Sequence, residues 1–376
     1  MNRAGATHPP RGAIAPALLR WYDRRKRDLP WRRKASPYRT LVSEFMLQQT
    51  VVVAVVPFFE RFVARFADLP ALAAASEDQV LASWSGLGYY ARARNLHRAA
   101  RAVVDRHGGQ IPSDEISLRA LPGVGAYTAA AMAAIAFGRR TFALDGNAAR
   151  VIARLQAVTA AIDKPETRNR LRDFGLAWVP ARRPGDFAQA VMELGATVCL
   201  PRSPACDICP LAWMCAAFKT GQTLRIPLKS PRPQRRVVRI ASVRMRRGGR
   251  VLLVRRKTGL LAGTWMLPSV VTLDGESAGA GARSAARELG MMPARMTPVG
   301  TIRHLFTHRD VTAEVFDATV SSTRAGIARG RGDVSTRDAS APDLLWADEL
   351  RLDGVAVSSF LRKQLALKRD KSSEPP

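Results

Sequence analysis

Residues 120–147 read ALPGVGAYTAAAMAAIAFGRRTFALDGN, and this stretch decides the fold of the first part of the chain. It carries no charged side chain before Arg139, so it imitates a membrane span. A proline and two glycines, Gly123 and Gly125, break it near its start, and the remaining residues, 126–138, are too few to cross a bilayer. The sequence therefore predicts a buried core helix that follows a glycine-rich turn.

The two glycines of this turn permit positive φ angles and a close approach of the backbone to another molecule. The N-terminus of the following helix offers unpaired N–H groups to an anion such as phosphate. An ordinary helix–helix turn explains Gly123 and Gly125 equally well, so both interpretations stay open on this motif alone. Further along, Asp145 precedes Gly146 and Asn147, and an aspartate in such a place is most often a helix cap.

All four cysteines of the chain lie in one short segment with the spacing C-x6-C-x2-C-x5-C. They are Cys199, Cys206, Cys209 and Cys215. Four thiolates can hold an iron–sulfur cluster or a zinc ion, and spacing alone leaves both open. Because the N-terminus shows no apolar stretch typical of a secretory signal, a disulfide framework is not expected. Arg202, in the first loop of the segment, could point a positive charge at a phosphate.

The chain has 376 residues, which exceeds a typical single domain and predicts two domains. Lys and Arg number 59 against 31 Asp and Glu, giving a formal net charge of +28. Such an excess favours a polyanionic partner, most simply nucleic acid, although the arginine preference of a GC-rich genome accounts for part of it. A hydrophobic content of 47% and a charged content of 24% argue against wholesale disorder.

Composition and hydrophobic periodicity divide the chain into two folded parts. A loose tail, residues 1–13, precedes an all-α domain over 14–222, in which no strand alternation occurs. Prolines and arginines then predict a stiff basic linker over 223–236. An α+β domain follows over 237–365, and the tail 366–376 is predicted to be disordered. The predicted fold class is thus multidomain, with a helical domain followed by an α+β domain.

Several elements can be placed from local sequence signals. Ser36 is a candidate N-cap for a helix over 38–50 that carries Glu44 in its middle. The next apolar stretch, 51–66, is predicted to be interrupted at Pro57. In the second domain the pattern predicts a hairpin of strands 237–245 and 251–255, further strands at 265–273, 299–304 and 311–320, and a helix at 282–289.

The combination of these motifs resembles a known enzyme family. The helix–hairpin–helix turn, the downstream aspartate and the four-cysteine spacing are similar to the endonuclease III superfamily of DNA glycosylases, and within it to the MutY family. The segments LPWR at 29–32, SEFMLQQT at 43–50 and GLGYYAR at 86–92 support this. The resemblance covers about residues 16–220 and continues more weakly over 237–365. It implies a helix–hairpin–helix glycosylase domain whose loop 199–215 holds a 4Fe–4S cluster rather than zinc.

By this resemblance four positions match the catalytic residues of the family. Glu44 matches the general acid that protonates adenine at N7, and its apolar neighbours suggest a raised pKa. Asp145 matches the carboxylate that stabilises an oxocarbenium-like sugar, with Asn147 orienting it and Tyr127 hydrogen-bonded to it. Without the motif, a mid-helix glutamate would be read as a solvated residue. Bifunctional relatives carry a lysine at position 127, so the tyrosine implies a monofunctional enzyme without strand cleavage.

The same resemblance implies DNA contacts in the helical domain. Arg32 and Gln189 lie where the family lines its adenine pocket. Gln49 and Tyr89 match residues that enter the double helix beside the lesion pair, whereas Tyr90 is the better candidate for a core residue. The glycine-rich turn described above would bind the phosphate backbone.

The second domain resembles Nudix domains through GLLAGTW at 259–265 and through Phe306-Thr307-His308. The stretch that corresponds to the Nudix helix, 285–290, lacks the paired glutamates that hold magnesium, so pyrophosphatase activity is not expected. In the family this domain recognises oxidised guanine, and Phe306, Thr307 and His308 match its recognition loop. A lone histidine at a strand end is otherwise usually structural.

The resemblance implies a base excision repair enzyme that removes adenine mispaired with 8-oxoguanine or guanine. Its partner would be double-stranded DNA with such a mispair and not a membrane, and we expect a cytoplasmic monomer associated with a bacterial nucleoid. One alternative is an endonuclease III-like pyrimidine glycosylase with lyase activity, against which Tyr127 and the second domain argue. Another is a non-catalytic iron–sulfur DNA-binding protein, against which the joint presence of Glu44 and Asp145 argues.

Overall fold

The computed structural model describes residues 11–231, 233–259, 261–319, 343–352 and 354–368. The predicted tails fall mostly outside the described residues, but the first helix already begins at Arg11 and the last one ends at Ala366. The chain forms two compact units, one of Met1–Ala74 with Asn95–Arg232 and one of Ala75–Arg94 with Pro233–Pro376. Residues 75–94, which the sequence assigns to the helical domain, thus group with the second unit.

Helices and strands follow the order expected for a helical part and an α+β part. The helices are α1 (Arg11–Arg25), α2 (Pro30–Arg33), α3 (Pro37–Leu47), α4 (Val52–Arg65), α5 (Leu69–Ala74), α6 (Glu77–Ser83), α7 (Tyr90–His107), α8 (Glu115–Arg119), α9 (Ala126–Phe137), α10 (Gly146–Leu155), α11 (Pro165–Trp178), α12 (Pro184–Thr197), α13 (Ala216–Lys219), α14 (Ala278–Arg287) and α15 (Ser359–Ala366). The strands are β1 (Arg236–Arg247), β2 (Arg250–Arg255), β3 (Trp265–Met266), β4 (Ser269–Thr272), β5 (Met296–Leu305), β6 (Arg309–Thr319) and β7 (Leu344–Asp348).

Helix α9 is the buried core helix that the sequence predicts. Its residues from Thr128 to Ala134 are all buried, and it packs against α3 and α12. At Gly123, where φ is 75°, a Cβ atom would lie 2.5 Å from the Cβ of Asn95, so only glycine fits this turn. Gly138, with φ of 64°, ends the helix in the left-handed conformation that glycine favours.

The N-terminus of α3 is confirmed, whereas two details around it differ from the prediction. The Ser36 hydroxyl accepts a hydrogen bond from the N–H of Arg39 at 3.2 Å, which makes it the N-cap. The helix ends at Leu47 instead of residue 50, because Gln49 adopts a left-handed φ of 58°. Helix α4 runs without interruption through Pro57, which lies on its exposed face, where water can reach the unpaired carbonyl.

The first half of the predicted linker is part of the helical unit. Ile226 is 2% exposed and packs into the core formed by α1 and α10–α13. The Leu228 carbonyl accepts a hydrogen bond of 2.9 Å from the N–H of Ile162, and Asp163 accepts one of 2.9 Å from the N–H of Ser230. The first residues of the predicted stiff, basic linker over 223–236 therefore pack against the helical unit. Proline content alone does not reveal such packing.

The described residues of the second unit form a mixed sheet of seven strands. The order is β3-β2-β1-β6-β5, with β4 also paired to β1 and β7 paired to β2; β1 and β6 are parallel. The predicted hairpin of β1 and β2 is confirmed, and Gly248 and Gly249 in its turn have φ of 56° and 74°. The strand predicted over 265–273 divides into β3 and β4, with Pro268 between them.

Two helices cover the faces of this sheet. Ala241, Val243 and Met245 of β1 point towards α14. Ser242 and Arg244 alternate with them and meet α15, where the Ser242 hydroxyl accepts a hydrogen bond from Gln364 at 2.8 Å. In the parts of the chain that the structure describes, no helix is long and apolar enough to span a membrane.

Candidate functional site

Glu44 lies in the apolar interior of the helical unit, not on a solvated face. It sits in the middle of α3 and is 6% exposed, and its chain neighbours Ser43, Phe45 and Met46 are buried too. Its Oε2 atom is buried and has no hydrogen-bond partner in the protein. Burial raises the pKa of Glu44 to about 7; the nearby charge of Asp145 raises it further, and the Tyr127 hydroxyl opposes the rise. This carboxyl group is thus poised to hold a proton near neutral pH.

Asp145 is buried too, but its oxygens are occupied by hydrogen bonds. It is the N-cap of α10, so the N–H of Ala148 donates to Oδ1 at 2.7 Å, and the Asn147 side chain donates to Oδ2 at 3.0 Å. Burial raises the pKa of Asp145, while these donors and the charge of Arg150 lower it. Asp145 is therefore a helix cap, as its place in the sequence predicts, and it is also a neighbour of Glu44.

The two carboxyl groups differ in the hydrogen bonds they receive, and this difference suits one to donate a proton and the other to carry a charge. Asp145 accepts hydrogen bonds that favour its ionised form, whereas Glu44 has an oxygen without a donor. Because like charges disfavour each other in a buried site, these hydrogen bonds favour a charge on Asp145 and a proton on Glu44. Tyr127 is the third group here: burial and the two carboxylates raise its pKa well above its ordinary value, and its hydroxyl donates to the Met192 sulfur at 3.3 Å and not to Asp145 as the sequence predicts.

Glu44→Gln is expected to stabilise the protein more at about pH 8.5 than at about pH 5. The pKa of about 7 in the folded state exceeds the ordinary value of 4.5, so the stability that protonated Glu44 contributes is complete below about 4.5 and is lost as pH rises through about 7. The shift corresponds to roughly 3 kcal/mol, which the neutral amide does not lose. Urea unfolding of both proteins across this pH range measures the difference.

The control for this measurement is Glu60→Gln, the same change at an exposed position of α4. That variant should follow the wild-type pH dependence. Equal pH dependence for Glu44→Gln and wild type would contradict a protonated, buried Glu44.

The structure brings Arg32 and Gln189 together and adds a residue that sequence reasoning missed. Arg32 donates through Nε to Gln189 Oε1 at 2.9 Å and through Nη2 to Glu193 at 2.9 Å. Glu193, with a side chain 1% exposed, also receives two side-chain hydrogen bonds from Arg27 at 2.6 and 3.1 Å. Burial would raise the pKa of Glu193, but Arg27 and Arg32 outweigh burial and lower it. The sequence signal for Glu193 is its position one helical turn after Gln189, on the same face of the helix.

Arg150 is a second functional candidate that the sequence did not single out. It donates to the Asn147 side-chain oxygen at 2.8 Å, to the Gly195 carbonyl at 2.7 Å and to the Cys199 carbonyl at 2.8 Å. Because Asn147 in turn donates to Asp145, the orientation of the Asn147 amide is fixed at both ends. An i, i+3 spacing on α10 is the only trace of this arrangement in the sequence.

The two candidates for entering DNA both have left-handed backbone conformations. Gln49 has φ of 58°, and Tyr89 has φ of 51° with a ring that is 46% exposed. Tyr90, by contrast, is 3% exposed and donates to the Val357 carbonyl at 2.6 Å, which confirms it as the core member of the pair. The buried guanidinium of Arg92 packs against Tyr89. It lies 5.1 Å from the centre of the Tyr89 ring and donates to the Gly88 carbonyl.

The predicted recognition loop is the turn between β5 and β6. Thr307 and His308 are exposed at its tip, and the Thr307 hydroxyl lies 3.1 Å from that of Tyr89. Phe306 instead packs inward, with its ring centre 4.6 Å from His304 and 5.8 Å from Phe360. In this structure Phe306 therefore anchors the loop, and the two residues after it are presented to a ligand.

The start of α9 and the helix α14 also bear on function. Gly125 is the N-cap of α9, and no side chain caps its first N–H groups, so they are free to meet a phosphate.

Helix α14 buries Ala282, Ala285 and Ala286 against the sheet and contains no acidic residue. Glu288 follows directly as its C-cap residue, so this stretch holds one glutamate and not a pair.

The four cysteines surround a single cavity. Cys199, Cys206, Cys209 and Cys215 line it together with Arg154. Among the described residues, no three cysteine, histidine or carboxylate side chains are placed to hold one metal ion. Four cysteine sulfurs around one cavity are a donor set that can hold an iron–sulfur cluster.

Three family profiles match the chain in the order of its motifs. The profile described as HhH-GPD superfamily base excision DNA repair protein matches residues 42–175. The iron-sulfur binding domain of endonuclease III matches 199–215, and the NUDIX domain matches 240–367. These matches confirm the predicted fold class, a helical domain followed by an α+β domain, and they confirm the cysteine segment as a 4Fe–4S site.

Individual proteins are similar over most of the chain. The adenine DNA glycosylase of Homo sapiens is 35% identical over 410 residues, which cover 93% of this chain and 73% of that protein. The adenine DNA glycosylase of Mycolicibacterium smegmatis is 43% identical over 218 residues, 57% of this chain and 74% of that protein. A solved thermostable thymine-DNA glycosylase has a TM-score of 0.50 at 26% identity, covering 56% of this chain and 97% of that one. The similarity to the human protein thus extends into both units.

Proposed function

The chain belongs to the adenine DNA glycosylase family of base excision repair, and on this basis we propose that it removes adenine paired with 8-oxoguanine or guanine and leaves the DNA strand intact. The observation that carries the proposal is the buried pair of carboxyl groups, Glu44 with an unpartnered oxygen and Asp145 with hydrogen-bonded oxygens. The monomeric state and the cytoplasmic location stay predictions.

Glu44 acts as the general acid in this proposal. Adenine has to leave the base stack before its glycosidic bond can be reached. Adenine is a poor leaving group until it is protonated, and a carboxyl group whose pKa is about 7 carries a proton at neutral pH and can give it to N7. The buried position of Glu44 excludes water that would otherwise take this proton.

Asp145 acts on the sugar as the bond breaks. Its ionised form stabilises the positive charge of an oxocarbenium-like sugar, by charge alone or by transient covalent capture, as carboxylates do in retaining glycosidases. The N–H of Ala148 and the amide of Asn147 hold its oxygens, so the carboxylate need not reorganise during the reaction. Asn147 is fixed in turn by Arg150.

The adenine pocket would lie at Arg32 and Gln189. Because Gln189 Oε1 accepts a hydrogen bond from Arg32, its amide NH2 group is directed elsewhere and can donate to a ring nitrogen of adenine. Glu193 holds the half-buried Arg32 in place and is neutralised by it. Glu193 is therefore a positioning residue of this pocket.

The cluster has a structural part in the proposal. A 4Fe–4S cluster bound by the four cysteines would cross-link the loop that carries Arg202. Arg202 is exposed in the segment between the first two cysteines, and the uncapped N-terminus of α9 offers N–H groups to the backbone. Both features supply contacts to phosphates without reading sequence.

The proposal is tested with labelled duplexes that contain 8-oxoguanine:adenine, guanine:adenine or a normal thymine:adenine pair. We expect adenine release from the first two, and strand breaks only after alkali treatment. Strand breaks without alkali would favour the endonuclease III-like alternative, and binding without release would favour the non-catalytic one.

Tyr127→Lys is expected to create a DNA adduct that borohydride traps, whereas wild type gives little or none. Position 127 is half-buried next to Glu44 and Asp145, and an amine there could form a Schiff base with the opened sugar. Tyr127→Leu is the matched control, since it changes the same position without an amine. Equal trapping by wild type and Tyr127→Lys would contradict the assignment of this position as the switch.

A further inference from the structure

Arg154 is a buried cation beside the cysteine cavity. It lies on α10, one turn after Arg150, and is 1% exposed, which places it among the largest fully buried side chains of the chain. Taking a guanidinium out of water costs free energy unless hydrogen bonds and negative charge compensate it. The partners of Arg154 therefore indicate what this residue is for.

The guanidinium group of Arg154 contacts the cysteine loop at three points. Its Nη1 donates to the Cys199 sulfur at 3.3 Å and to the Leu200 carbonyl at 2.7 Å, and its Nη2 donates to the Pro201 carbonyl at 3.0 Å. Its Nε donates to the Ile226 carbonyl at 2.8 Å. One side chain thus ties the start of the cysteine loop to the segment after α13.

None of these four acceptors is a carboxylate, so the contacts leave the positive charge of Arg154 without an anion. The cavity next to it is lined by four cysteines, which bind a cluster as thiolates. The missing negative charge is therefore supplied by the loaded cysteine site. Hydrogen bonds to ligand sulfur and a nearby cation both favour the more reduced, more negative state of a cluster.

We propose that Arg154 is the positioning residue of the iron–sulfur site: it neutralises the charge of the site, donates a hydrogen bond to the Cys199 ligand and clamps the loop Cys199–Pro201. It raises the reduction potential of the cluster and slows its loss. This role rests on the iron–sulfur site and not on the proposed glycosylase reaction, so readouts without DNA test it separately.

The experiment compares purified holoprotein with Arg154→Met, Arg154→Lys and the control Arg225→Met. Arg225 is an exposed arginine next to Ile226, so the control makes the same change close by without removing a buried cation. Iron and sulfide content, the rate of iron transfer to a chelator, the reduction potential by voltammetry and the far-ultraviolet circular dichroism are measured.

For Arg154→Met we expect a lower reduction potential and iron release about 10- to 100-fold faster, the range typical when the partner behind a metal ligand is lost. Arg154→Lys keeps the charge but not the fork of donors, so its potential should stay near the wild-type value while release is still faster. Arg225→Met should match wild type in both. If Arg154→Met does not fold, the release rate of Arg154→Lys still tests the proposed role of Arg154.

Three results would overturn the proposal. Wild-type release rate and potential in a folded Arg154→Met would show that the cluster does not need this residue. A release rate of Arg154→Lys equal to that of wild type would show that the clamp on the loop has no effect. Zinc in place of iron in the wild-type protein would remove the premise without touching the glycosylase assay.

Discussion

Glu44→Gln is expected to slow adenine excision by about 10²- to 10⁴-fold, the usual contribution of a general acid, while leaving duplex affinity nearly unchanged. The substitution removes a proton donor and little else, since the amide has nearly the shape of the carboxyl group. Glu44 lies in the buried interior of the helical unit, where no water replaces it. The loss should therefore appear in the chemical step and not in binding.

Single-turnover excision on a saturating 8-oxoguanine:adenine duplex measures the chemical step, and fluorescence anisotropy measures binding. In wild type the rate should fall as pH rises through about 7, because Glu44 then loses its proton. The exposed Glu60→Gln serves as the control here as well. Excision by Glu44→Gln at close to the wild-type rate would show that another group supplies the proton.

This variant should thus be more stable than wild type at alkaline pH and nearly inactive. Stability and activity change in opposite directions because burial of the Glu44 carboxyl group lowers the stability of the folded state at alkaline pH. The same burial holds its pKa near 7. A mutation that only damaged the fold would lower both stability and activity. The opposite signs distinguish a catalytic role from a structural one.

Features fixed by local chemistry could be predicted from the sequence. The four-cysteine spacing, the Ser36 cap and the turn at Gly123 are all determined by residues close in the chain. At Gly123 the φ of 75° is the local requirement that favours glycine, whereas the collision of a Cβ atom with Asn95 is a contact with a distant segment. Local patterns of this kind also placed the hairpin of β1 and β2.

Features that depend on contacts between distant segments could not be predicted. Glu193 meets Arg27 across the helical unit, and Arg154 meets Ile226 in what reads as a linker. Each of these residues looks ordinary in its own helix. Phe306 was predicted together with Thr307 and His308, but the structure turns its ring into the core between His304 and Phe360, which three-letter motifs do not reveal.

The contacts of residues 75–94 determine how lesion reading should be tested. Tyr90 donates to the Val357 carbonyl, Ser85 donates to it at 3.1 Å, and Arg255 pairs with Asp78, all within the second unit. Removing the C-terminal residues would strip these partners from the segment that carries Tyr89. A truncated chain would therefore lose the β5–β6 turn and also the contacts that hold the segment of Tyr89. Point variants in the β5–β6 turn are the cleaner test.

His308→Ala is expected to lower the preference for 8-oxoguanine:adenine over guanine:adenine by about 5- to 150-fold, corresponding to about 1–3 kcal/mol of lost discrimination. Adenine occurs in every normal pair, so selectivity has to come from the opposite base. 8-Oxoguanine has an N7–H donor and an O8 acceptor, whereas guanine has an N7 acceptor and only a hydrogen at C8. His308 is exposed at the tip of the turn, where Phe306 anchors the backbone and Thr307 lies against Tyr89.

The measurement is the ratio of excision rates on the two duplexes at subsaturating enzyme and fixed salt, because phosphate contacts make affinity salt-dependent. Thr307→Ala should lower the same ratio, since it also frees the Tyr89 hydroxyl from its partner. Thr301→Ala, an exposed threonine of β5 in the same hairpin, is the matched control and should leave the ratio unchanged. The rate at saturating 8-oxoguanine:adenine duplex should stay near wild type in all three, because Glu44 and Asp145 are intact. An unchanged ratio in both His308→Ala and Thr307→Ala would place lesion reading outside this turn.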